Sequence, residues 1–220
     1  MNFLQLLVDA ASVGGLYALT AIGIGLIFGV VGLVNFAYGE YVMVGAYVIL
    51  LCVGFVWYVT LCVLLVFVIL FALFSYFAVF RPARTAPPAT LMIISFGLSF
   101  MIQNLYVMMF GSLTQTVDFL PAINRSVDIL GIRVAGVSIV QIVATVVLTL
   151  TLAAFIRYTK IGYQMRAVSE NPRMARLVGV KIDRVVAVAF VCSAVLAVTV
   201  SVLFIAQTGS MTPFFGVSLT

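Results

Sequence analysis

Few side chains in this sequence could do chemistry, and they are unevenly placed. Six acidic and eleven basic residues occur in 220, and histidine is absent. That removes the commonest metal ligand and the commonest proton relay near neutral pH. Cys52, Cys62 and Cys192 lie in apolar runs without metal-ligand spacing. They read as packing residues, and an odd number argues against a disulfide framework. No G-x-x-x-x-G-K-[ST] phosphate loop occurs in the sequence. The reading is a chain that is not an enzyme, with no catalytic residue, no metal site and no cofactor of its own. What remains is a carboxylate at a break between apolar runs, one polar stripe, and one strongly basic segment.

The carboxylate is Glu40, in Gly32-Leu33-Val34-Asn35-Phe36-Ala37-Tyr38-Gly39-Glu40. At membrane depth it would cost on the order of 3 kcal/mol unless partnered or wetted. Broken backbone at that depth is tolerated only where it is buried in protein or lines a cavity. In the other reading this is a plain cytoplasmic turn, with Glu40 in the first turn of the next helix, where its charge suits the dipole. Both readings stand on sequence alone. Downstream, Ser95, Ser99 and Gln103 recur every four residues on an otherwise apolar helix. In lipid such a stripe faces protein or a water-filled path, so it serves helix–helix hydrogen bonding or substrate contact. Asn35, Glu40, Ser95, Ser99 and Gln103 are therefore the candidates for a translocation path.

The basic segment runs over 157–184 and holds seven of the eleven basic residues, opposed only by Glu170 and Asp183. Lys and Arg beside membrane segments resist translocation, which places it on the cytoplasmic side. Asn171 suits an N-cap, Pro172 the first helical position and Gly179 the residue just past a helix end. A preceding helix from about Ile161 should break at Asn171. Met174, Leu177 and Val178 share one face of the short helix so defined. It is either a solvated connector on anionic lipid head groups or a docking element for a cytoplasmic partner.

With 65% hydrophobic residues and a mean hydropathy of +1.32, the elements that must position these groups are membrane helices. Charge-free stretches run over 10–39, 41–80, 85–117 and 134–156, and another apolar run begins at Val185. A crossing needs about 20 apolar residues. The stretch 41–80 is long enough for two, with Trp57-Tyr58 marking an interface at its middle. The expected fold is all-α, a polytopic helix bundle of about six spans in one transmembrane domain, 1–220. No Lys or Arg precedes Arg81, so the N-terminus lacks the basic region of a signal peptide and reads as mature protein. Small-residue rows at Gly14-Ala18 and Ala21-Gly25-Gly29 predict a central first helix that does not face lipid. Arg81 and Arg84, with Pro82, Pro87 and Pro88, make a short cytoplasmic loop. The neutral loop from Gly111 to Arg133, with Pro121 and Gly131, belongs outside, as do Trp57 and the N-terminus.

Several motifs together resemble the branched-chain amino acid permeases of ATP-binding-cassette importers. They are Gly15-Leu16-Tyr17-Ala18-Leu19, Asn35-Phe36-Ala37-Tyr38-Gly39-Glu40, Gly45-Ala46-Tyr47, Arg81-Pro82-Ala83-Arg84, and Ser95-Phe96-Gly97-Leu98-Ser99 with Gln103-Asn104. Tyr38 stands where that family commonly has histidine. Gly162, Arg166, Asn171, Met174, Ala175, Leu177 and Gly179 fall where such permeases carry their cytoplasmic coupling loop. The resemblance implies a multi-pass permease of the cell inner membrane. Its partners would be a second permease subunit, two cytoplasmic ATPase subunits that bind the ATP, an extracytoplasmic substrate-binding protein and the lipid bilayer, with no nucleic acid. Permeases for urea, short amides or sugars in the same superfamily are close variants; an ion-coupled carrier built on Glu40 is the alternative of another class. Related permeases continue for several more helices beyond the position of Thr220, so a truncated product or fragment is expected.

Overall fold

A computed structural model describes residues 3–32, 34–84, 86–117, 119, 126–129, 132–214 and 216. The apolar runs fold as helices because a backbone in lipid must satisfy its polar groups internally. In chain order these are α1 (Phe3–Val31), α2 (Tyr38–Leu51), α3 (Trp57–Ser75), a π-helical turn (Tyr76–Phe80), α4 (Arg81–Ala83), α5 (Pro88–Phe110), α6 (Gly136–Tyr158), α7 (Lys160–Glu170), α8 (Pro172–Leu177) and α9 (Ile182–Thr208). Short strands β1 (Gln115–Thr116), β2 (Ser126–Ile129), β3 (Ile132–Ala135) and β4 (Ser210–Met211) complete the described chain.

Among the described residues, five helices are long and apolar enough to cross a membrane. The sixth expected crossing differs in kind. Its helix, α2, has 14 residues, about 21 Å against a hydrocarbon core of about 30 Å. The missing length is non-helical backbone at 34–37. Residues 38–49 of α2 are all buried, wrapped mainly by α3, α5 and α9. A helix that is apolar all round belongs inside protein.

Specific contacts order the bundle. Ser12 donates a hydrogen bond to Gln141, and a Cβ on Gly15 would meet Thr145, so α1 and α6 run side by side in the same direction. Ser193 Oγ donates to the Gly23 carbonyl at 2.8 Å, and Gln141 Nε2 donates to the Leu203 carbonyl at 3.3 Å and to Gln207 Oε1 at 3.0 Å. These bonds set α9 antiparallel to both. At the start of α9, Asp183 pairs with Arg81 and Arg84 and accepts from the Tyr76 hydroxyl. The Arg81–Arg84 turn and the basic segment therefore share one end of the bundle. At the other end β1 pairs with β4, and exposed Trp57 and Tyr58 stack edge to face at 5.8 Å. The β2–β3 hairpin sets Asp128 opposite Arg133; Asp118, Pro121, Arg125 and Gly131 lie outside the described residues.

The glycine rows of α1 correct an expectation. Gly14, Ala18, Ala21, Gly25 and Gly29 are exposed on the outside of the bundle. Close approach is made instead by Gly15 and Gly23, which lie between them. A Cβ on Gly23 would fall 2.2 Å from the Tyr38 hydroxyl. The spacing identified small residues correctly, but the fully buried Tyr38 ring selects which face of α1 turns inward.

Gly23→Ala should therefore destabilise the folded protein by about 1–3 kcal/mol through overpacking, whereas Gly25→Ala should be neutral. Thermal unfolding of the detergent-purified chain measures both. Adding Tyr38→Leu to Gly23→Ala should restore most of the loss.

Candidate functional site

Residues 34–37 break the helical path, and two polar side chains make that break affordable in an apolar setting. Asn35 Oδ1 accepts from the Ala37 amide at 3.1 Å, and its Nδ2 donates to the Tyr41 hydroxyl at 3.4 Å. Ser95 Oγ accepts from the Phe36 amide at 3.4 Å and donates to the Met92 carbonyl at 2.8 Å. Both side chains are fully buried. Of the five path candidates, these two hold the chain geometry.

Glu40, Ser99 and Gln103 form a second unit. Glu40 Oε1 accepts from Ser99 Oγ and from Gln103 Nε2, each at 2.7 Å. Gln103 Nε2 also donates to Ser99 Oγ at 3.1 Å. The carboxylate is 1% exposed and stands opposite the middle of α5. Ser99 lies about 16 Å along that helix from Pro88, so Glu40, in the first turn of α2, is level with the middle of a helix long and apolar enough to cross a membrane, not in a surface turn. Among the described residues its second oxygen, Oε2, is buried without a partner. Outward along the same α2–α5 seam, Tyr47 packs against Tyr106 at 4.6 Å and Phe110 at 4.7 Å between ring centroids. Sequence reasoning passed over Tyr47 and Tyr106. Their signal was available: Tyr47 is seven residues from Glu40, two helical turns along the same face.

The basic end is built by local capping. Thr159 Oγ1 accepts from the Gly162 amide at 3.0 Å and starts α7. A Cβ on Gly162 would lie 2.2 Å from the Ile156 carbonyl oxygen, so glycine permits the tight junction of α6 and α7. Asn171 Oδ1 accepts from the amides of Arg173 and Met174 at 3.0 and 3.1 Å and caps α8. Gly179, at φ +86°, ends it in a Schellman motif: Val180 N donates to the Ala175 carbonyl and Gly179 N to that of Arg176. The Arg166 guanidinium lies 4.6 Å over the Tyr163 ring.

Exposure divides the coupling candidates. Met174 is 59% exposed, Leu177 80% and Val178 78%, whereas Ala175 is 3%. The shared apolar face of Met174, Leu177 and Val178 is therefore open. Ala175 corrects the expectation that it would meet a partner, because it faces the protein's own interior. Gly162, Asn171 and Gly179 act through backbone shape, and only Met174, Leu177 and Arg166 of the seven present side chains outward. Asp183, with its ties to Arg81, Arg84 and Tyr76, was missed, because its partners are distant in sequence.

The sequence profile of the permease component of branched-chain amino acid transport systems matches residues 6–220. The chain belongs to that family. It is 28% identical to the high-affinity branched-chain amino acid transport permease LivH of Escherichia coli K12, over 98% of this chain and 75% of that protein. It is 29% identical to LivH of Salmonella typhimurium and to BraD of Pseudomonas aeruginosa, with the same coverage. No solved structure matches it. Membership gives the buried Glu40 unit and the open face of α8 a common setting, a multi-pass transport permease.

Ala175→Glu in this permease should unfold the α7–α8 segment, because it forces a carboxylate into a packed interior. Leu177→Glu should leave it folded. Limited proteolysis with trypsin, which cuts beside the segment's exposed arginines, should show faster cleavage in the first variant only.

Proposed function

We propose that the chain is the membrane-spanning subunit of an ATP-driven importer for branched-chain amino acids. In this reading it pairs with a second permease subunit, receives substrate from an extracytoplasmic binding protein, and couples to two separate ATPase subunits. The basic end faces the cytoplasm across the inner membrane, and the N-terminus of α1 lies outside. ATP acts on the partner subunits, consistent with the lack of a phosphate loop in this sequence.

The observation that carries this reading is the open apolar face of α8, set in a basic segment of a chain matched to the family over 6–220. Exposed large apolar groups in a rigidly capped helix suit a partner groove. The surrounding Arg173, Arg176 and Lys181 suit an acidic rim, which favours encounter and register. Glu40, Ser99 and Gln103 supply the polar step of the path at membrane depth. An ionophore would collapse uptake through an ion-coupled carrier, whereas ATP depletion would stop this importer.

Leu177→Glu should leave the permease in the membrane at normal abundance. It should sharply reduce co-purification of the ATPase subunits and lower ATP-driven leucine uptake by at least tenfold. Full assembly and full uptake by this variant would remove α8 as the docking element.

Orientation is checked by single-cysteine labelling with an impermeant maleimide in intact cells. A cysteine at position 57 should label, and one at 173 only after permeabilisation. Labelling at 173 from outside would invert the proposed topology.

A further inference from the structure

Among the described residues, five buried side-chain polar atoms have no hydrogen-bond partner: the Tyr38 hydroxyl, Glu40 Oε2, the Tyr47 hydroxyl, Thr60 Oγ1 and Ser201 Oγ. Three lie on α2, and Ser201 lies directly against it, at Gly45. Each such group carries a desolvation cost with no hydrogen bond to offset it. Four of the five thus sit on or against one short helix.

Glu40 is the charged member, and its surroundings define the partner. Ser99 and Gln103 are neutral donors, and both bond to Oε1. They hold Oε1 and leave Oε2 without a donor among the described residues. Both ion pairs among the described residues belong to Asp183, at the basic end. A carboxylate held in an apolar interior calls for a cation.

We infer that Glu40 Oε2 is the subsite for a primary ammonium group, that of the amino acid being transported; this rests on the importer reading above. A metal ion fits less well. No group of three or more metal-ligating side chains occurs among the described residues, and a single free carboxylate oxygen is too few ligands for a hard cation. An ammonium needs only one short charge-assisted hydrogen bond here. Residues 38–49 are buried, and Gly216 lies against the Gly39 carbonyl and the Glu40 amide, so a partner for Oε2 has to be small. The rings of Tyr47, Tyr106 and Phe110 lie outward along the same seam and make it apolar and aromatic beyond the carboxylate.

The test uses the assembled transporter in lipid nanodiscs and the binding of radiolabelled leucine, competed by two probes. 3-Methylbutylamine keeps the ammonium and the branched chain without the carboxylate; 4-methyl-2-oxopentanoate keeps the carboxylate and replaces the ammonium. The amine should compete with leucine for the wild type, and the keto acid should compete at least about tenfold more weakly. Glu40→Gln should weaken leucine binding about tenfold or more and abolish the preference for the amine, and Glu40→Asp should retain part of it. An amine that fails against the wild type, or competes equally well against Glu40→Gln, would overturn the inference. Should Glu40→Gln fail to assemble, the wild-type competition and Glu40→Asp still decide. Absence of any ATP-driven leucine uptake by the wild type in proteoliposomes would sink the importer reading itself. Uptake with the competition reversed would sink only the ammonium subsite.

Discussion

A carboxylate at the middle of a membrane bundle constrains everything around it. Placing Glu40 there costs on the order of 3 kcal/mol, and a hydrogen bond to a charged group returns about 1.5–3 kcal/mol. The two bonds from Ser99 and Gln103 therefore offset much of the burial cost. They can do so only if α5 runs alongside α2 in register, Ser95 beside the break and Tyr106 beside Tyr47. The same register explains why α2 is short. Its first residues must begin inside the bundle, so the chain arrives through non-helical backbone whose amides are taken up by Asn35 and Ser95.

The helix α9 joins this interior to the basic end. It starts at Asp183 with the Arg81, Arg84 and Tyr76 contacts, passes Gly23 at Ser193 and Gly45 at Ser201, and ends beside Gln141. The segment α7–α8 leads directly into it, pinned by two side-chain caps, a Schellman motif and the close junction at Gly162. Such a segment is stiff, because its terminal amides and carbonyls are satisfied locally. In the importer proposed above, a stiff element with an open apolar face would transmit a push from a docked subunit to the α9 N-terminus, where a flexible connector would absorb it.

Much of this was legible from residue order, for a definite reason. Helix spans follow from apolar run length, and the caps of α8 follow from Asn171, Pro172 and Gly179 interacting with their immediate neighbours. Which end of the bundle is basic follows from where Arg and Lys accumulate. The polar stripe Ser95, Ser99 and Gln103 was visible too, since helical spacing is local. These properties depend on interactions within a few residues, so residue order is sufficient to state them.

Packing across long separations was not legible. Nothing in the spacing of α1 distinguishes Gly23, which meets Tyr38, from Gly25, which meets nothing. Nothing in the α8 pattern turns Ala175 inward while Met174 and Leu177 stay outside. The stripe on α5 divides into Ser95, which closes the chain break, and Ser99 with Gln103, which hold Glu40; that division depends on the register between two helices some sixty residues apart. Rotation of a helix about its axis and its axial register cost little in local terms and are fixed only when neighbouring surfaces interlock. The residue order of this chain thus set which elements form, how they are capped and which end is basic. Packing of α2 within the bundle placed the carboxylate at mid-depth and left one of its oxygens free.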